Sequence, residues 1–91
     1  MSVFLISYDL GLIESREIYQ SLISYIKSID AWAKPLQSVW LIKTDKSASE
    51  IRDGLKTYLD SNDKVLVIEV KKHWGSFGLS KDVTDWMKEN I

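Results

Sequence analysis

A chain of 91 residues with a net charge of −1 is one small domain, and without any cysteine it has neither disulfides nor thiolate chemistry. The same absence excludes cysteine-based zinc sites, and a single histidine leaves too little imidazole for a histidine-rich one. A domain this size buries only roughly 60–65% of the surface its unfolded chain exposes, so its core is thin and oligomerisation is the favoured support.

Residues 2–9 alternate with apolar side chains on both faces. Val3 and Leu5 lie on one face, with Ser7, and Phe4, Ile6 and Tyr8 on the other, which reads as a strand buried on both sides. It runs into Asp9 and a loop at 10–14. From Ser15, a candidate N-cap with Glu17 in the first turn, the period becomes helical, and Ile18, Leu22, Tyr25, Ile26 and Ile29 share a face. Pro35 suits an edge or a turn because it cannot donate to a ladder. A short strand at 31–34, a tight connection near Pro35–Leu36 and a strand at 37–43 are expected, with one continuous bulged strand as the alternative. Ser47 and Glu50 have capping-box spacing, and Ile51, Leu55, Tyr58 and Leu59 form the apolar face of the helix that follows. Gly54 inside it costs about 1 kcal/mol relative to alanine. "DSND" at 60–63 is a turn signal, 64–70 is an apolar strand, and 71–80 is a loop with two glycines. Ser80 then caps a final helix bearing Val83, Trp86 and Met87.

The order β-α-β-β-α-β plus a C-terminal helix is the α+β, ferredoxin-like plan: two helices on one face of a four-stranded antiparallel sheet. It spans the chain as a single domain, with the core at about 1–70. Its second sheet face would still be apolar, through Val3 and Leu5 and the strand at 64–70. Such a patch marks an interaction site. Either the last helix or a second copy must cover it, and a homodimer meeting partly through the sheet is favoured. The chain opens without a basic-then-apolar leader, and no apolar run has membrane-spanning length, so a cytoplasmic protein with no membrane contact is expected.

"SYDL" ending the first strand, "LQSVWLIKT" and "DKVLVIEV" together resemble the second protein of the CRISPR adaptation machinery and its relatives. The matching residues are Tyr8-Asp9, Gln37-Ser38-Val39-Trp40, and Asp63 through Val70. VapD-like toxin–antitoxin proteins share the plan. The resemblance covers about residues 1–70. It implies a ferredoxin-like homodimer in which Asp9 of each subunit faces its counterpart. Some relatives are metal-dependent nucleases; others are scaffolds that hold DNA and a partner nuclease. This chain departs from the pattern in a helix at 80–91 where relatives have a strand that pairs with the other subunit, in Trp40 for the usual Phe, and in its lower basicity. A divergent branch is implied.

Asp9 is the candidate catalytic and metal-binding residue. Mg2+ or Mn2+ would take one or two carboxylates and fill its octahedron with water and phosphate, and such a metal can activate water for phosphodiester hydrolysis. The competing reading is an Asx turn, with Asp9 accepting from the loop amides. Ser7 and Ser38 are small polar neighbours, able to bind phosphate or simply to satisfy the backbone. Arg16, Lys71, Lys72 and Trp74 are the candidate nucleic-acid-binding residues, cations with an aromatic as single-strand binders use. Trp74 and Phe77 could equally anchor the last helix. His73 titrates in a useful range but has no orienting partner nearby in sequence. No Ser-His-Asp, P-loop or dinucleotide fingerprint is present. The net charge lowers the expectation of nonspecific nucleic-acid binding, although residues 31–72 carry eight Lys/Arg against six Asp/Glu. The expected function is a metal-dependent endonuclease acting on RNA or DNA. The alternative is a non-catalytic dimeric scaffold or antitoxin-like module with a protein partner, and a small-ligand domain comes third.

Overall fold

The computed structural model describes residues 1–11 and, beginning with the backbone of Arg16, residues 16–91. The Ser15 cap and the Arg16 side chain therefore lie outside the described residues. The elements are β1 (Ser2–Asp9), α1 (Arg16–Lys27), β2 (Ala31–Leu36), β3 (Val39–Thr44), α2 (Ala48–Lys56), β4 (Lys64–Val70) and α3 (Lys81–Asn90). The strands form one antiparallel sheet in the order β2-β3-β1-β4. This is the ferredoxin-like arrangement, with α3 added at its end.

The period-2 alternation of β1 divides the molecule into two cores. Phe4, Ile6 and Tyr8 face α1 and α2 and join Leu22, Ile26, Ile29, Trp40, Ile42, Ile51 and Leu55. Trp40 is fully buried, and its indole Nε1 donates to the Tyr8 hydroxyl at 3.1 Å. Burial pushes the Tyr8 hydroxyl up to about 12; the Trp40 N–H works against that rise and the neighbouring Tyr19 adds to it. Ile18 is exposed, contrary to expectation, because it lies beside Tyr58 and Leu59 at the surface, just beyond the C-terminal end of α2. The capping box forms as its spacing demands. Glu50 N donates to Ser47 Oγ at 3.1 Å and Ser47 N donates to Glu50 Oε1 at 3.0 Å. A Cβ at Gly54 would overlap the Tyr25 hydroxyl of α1, so this glycine lets the tyrosine pass directly over α2.

The β2–β3 connection falls at Gln37–Ser38, two residues later than expected, and Leu36 pairs with Val39. Pro35 stays inside β2. It is tolerated there because β2 is an edge strand whose register shifts between Ala33 and Leu36, and a bulge or edge position needs no N–H from proline.

The last helix covers part of the second sheet face. Val3, Leu41 and Met87 are buried together, with Leu5, Val70, Trp74, Val83 and Trp86 packed around them. Ser80 caps α3 by accepting from Val83 N at 3.3 Å. The coverage reaches one end only. At the other end, where β1 finishes and β4 begins, Leu66 and Ile68 remain 58% and 51% exposed, and Leu36 is exposed too. Between this open end and α3 lies an apolar pocket of about 410 Å³ lined by Leu5, Val39, Leu41, Trp74 and Met87. Among the described residues no helix is long and apolar enough to cross a membrane.

Candidate functional site

Asp9 closes β1 at the open end of the second face. It is exposed, two residues along the strand from half-buried Ser7, and stands opposite Lys64 of β4. Ser7, Asp9, Lys64 and Leu66 line a shallow cleft of about 240 Å³. The turn chemistry that competed for Asp9 belongs to another residue. An Asx turn at Asp9 would use the amide two residues on, but Gly11 N donates to Asp63 Oδ1 at 2.7 Å. The second oxygen of Asp63 accepts Asp60 N at 2.9 Å, and Asp60 Oδ1 accepts Asn62 N at 2.7 Å. Asp63 therefore clasps the chain leaving β1 to the turn entering β4. Gly11 permits the approach, since a Cβ there would sit 2.9 Å from Asn62 Cβ. Among the described residues the Asp9 carboxylate has no hydrogen-bond or ion-pair partner.

No three acidic or imidazole groups gather as a ligand set among the described residues. A single copy thus offers Mg2+ or Mn2+ one unengaged carboxylate at Asp9, fewer protein donors than a closed metal site has but within the one or two this ion takes when phosphate and water supply the rest. Ser38 lies in the β2–β3 turn rather than on a strand, and its carbonyl accepts Tyr8 N at 3.3 Å. The structure brings Ser7, Asp9 and Lys64 together and leaves Ser38 beside them at the hairpin.

The other expected residues sit elsewhere. Lys71 and Lys72 follow β4 at the end covered by α3, roughly 25 Å along the chain from Lys64 at about 3.3 Å per residue. They are exposed and line an open cavity of about 530 Å³ with Ser2, Glu69 and Asn90. Trp74 is half-buried against Val3, Leu41 and Met87, the anchoring role. Phe77 is 100% exposed and anchors nothing among the described residues. His73 is exposed on the rim of the apolar pocket.

A further cluster was not anticipated. Trp32 on β2 is 38% exposed and meets Trp40 edge to face, with ring centroids 5.4 Å apart at 62°. Lys27 Nζ lies 5.1 Å from the Trp32 ring and Lys34 Nζ lies 5.0 Å from the Trp40 ring. The spacing of Trp32 and Lys34, two apart on one edge strand and therefore on one face, was the available signal.

No protein-family model matches the chain, and no solved structure matches it.

Proposed function

We propose that this chain is a homodimeric, nucleic-acid-associated domain of the CRISPR-adaptation-protein-like kind, whose copies meet at the open end of the second sheet face. The observation that carries the reading is positional. The unengaged Asp9 carboxylate shares its face, and its end of the sheet, with exposed Leu36, Leu66 and Ile68. A two-fold contact buries the same patch on both copies, so a contact made there sets two Asp9 carboxylates at one interface. The motif order Tyr8-Asp9, Gln37 to Trp40 and Asp63 to Val70 supports the same assignment. A cytoplasmic location fits the cysteine-free composition.

In this reading the domain is a metal-dependent endonuclease acting on RNA or DNA. Mg2+ or Mn2+, when bound, supplies Lewis acidity and an activated water. The protein's part is Asp9 from each copy as ligand, with Lys64 beside it to attract phosphate and Ser7 as a small neighbour that leaves the cleft open. The test is cleavage of single- and double-stranded RNA and DNA by wild type and Asp9→Asn, with and without EDTA. Cleavage that needs the metal and falls at least 100-fold in the variant is expected. Equal activity in both proteins would remove Asp9 from the chemistry.

The second reading is a non-catalytic dimeric scaffold that holds nucleic acid or a protein partner. The net charge of −1 and the breadth of the open apolar face favour it. It predicts a stable dimer indifferent to EDTA that cuts nothing.

A further inference from the structure

The edge strand β2 carries a group that takes no part in the Asp9 site. Trp32 keeps part of its indole in solvent, yet its edge-to-face contact with buried Trp40 holds the ring in place. Trp40 is in turn fixed by its hydrogen bond to Tyr8. A lysine flanks each ring, at 5.1 and 5.0 Å. Neither Lys27 nor Lys34 has a carboxylate within ion-pair distance among the described residues, so both charges stand uncompensated.

A pre-positioned, part-exposed indole with one unpaired ammonium group over it and a second over the adjoining Trp40 ring has the chemistry that binds single strands: bases stack on the ring and the backbone follows the charges. An exposed cation–π contact is weaker than base–aromatic stacking. A base can therefore take the ring while Lys27 turns to a phosphate. A protein partner adding a strand is disfavoured on this edge, because Pro35 has no N–H to give and the register is broken between Ala33 and Leu36. We infer that Trp32, Lys27 and Lys34 form a stacking platform for single-stranded nucleic acid, with a base on the indole and neighbouring phosphates on the two lysines. The inference rests on the nucleic-acid reading above and names a contact surface distinct from Asp9 and from Lys71 and Lys72.

Oligo-deoxythymidine and oligo-uridine of about 12 nucleotides, within the range one such surface spans, are titrated against the intact protein over a series of salt concentrations. Trp32→Ala should weaken binding roughly 5- to 100-fold, the effect of losing one stacked base, and Trp32→Phe should retain most of it. Lys27→Gln with Lys34→Gln should flatten the slope of log K against log salt by about 1.4, near 0.7 for each lost phosphate contact. Both lysines are exposed and neither is a core residue, so the slope decides the matter even if Trp32→Ala lowers stability. Weakened binding of either polymer by Trp32→Ala together with the flattened slope supports the platform, whichever polymer is preferred. Wild-type binding that these variants leave intact, but that Lys71→Gln with Lys72→Gln abolishes, overturns the platform and leaves the nucleic-acid reading standing. Failure of the wild type to bind either polymer overturns the platform; failure to bind duplex DNA and RNA as well overturns the nucleic-acid reading with it. Polyglutamate binding as tightly as the oligonucleotides, with no dependence on Trp32, overturns the platform in favour of an acidic protein.

Discussion

Gly54 inverts the usual rule for glycine in a helix. Glycine to alanine in a helix interior normally gains about 1 kcal/mol. Here the new Cβ would overlap the Tyr25 hydroxyl, and overpacking of this kind costs roughly 1–3 kcal/mol. Gly54→Ala should therefore lower the urea midpoint, and combining it with Tyr25→Leu should recover most of the loss in a double-mutant cycle. The sequence displays the glycine but not the tyrosine that requires it, because the two meet only when α1 and α2 pack. The Tyr8 hydroxyl gives a second prediction. Its folded value, near 12, lies above the ordinary 10. Below pH 10 the hydroxyl is protonated in both states and its contribution is complete. Between pH 10 and 12 the unfolded chain ionises while the folded one resists, so stability falls as pH rises through that window. Unfolding midpoints at pH 9 and 11 should show the drop, and Tyr8→Phe should reduce it. That variant also starts lower by roughly 1–3 kcal/mol, since it leaves the buried Trp40 N–H without an acceptor.

Secondary structure was the most legible level, because each change of period marks a change of element. The strand at 64–70 and the helices capped by Ser47 and Ser80 fall where their patterns placed them. The β2–β3 turn was misplaced because proline signals both turns and edge strands, and only the strand order decides between them. An amphipathic pattern on α3 shows that it buries a face, not which surface receives it. Asp9 posed a similar difficulty. Its exposure could be read only after Asp63, some fifty residues away, was seen to accept the Gly11 amide. At this scale the capping box yields a testable effect. Hydrogen bonds from the Ser47 backbone and side chain hold the Glu50 carboxyl below its ordinary value. The box contributes fully above pH 4.5 and weakens as pH falls through the depressed value. Ser47→Ala should cost about 1 kcal/mol at pH 7, and calorimetry should find a smaller gap between variant and wild type near pH 3.

For the molecule as a whole, the decisive surface is the open end of the second face. β4 is an edge strand with two large apolar side chains in solvent, an arrangement that proteins guard with charge or cover with a partner. If the copies meet there as proposed, the wild type should sediment as a dimer and Leu66→Lys with Ile68→Lys as a monomer. Both positions are exposed, so the unfolding free energy of the dilute protein should change by less than about 0.5 kcal/mol. Loss of folding instead would mean that these residues support the chain's own core.

The ten residues that join β4 to α3 give the helix a further consequence. That connection is itself packed through Trp74 and Leu79 on Val3, Leu41 and Met87, and a segment joined in the same chain competes at a high effective concentration. α3 is thus a competitor that never diffuses away from Val3 and Leu41. An incoming copy would have to displace it to reach that half of the sheet, whereas among the described residues nothing comparable covers the half bearing Asp9. For the dimer proposed above, the helix would be a spacer that leaves the carboxylate end of the sheet as the place to dock.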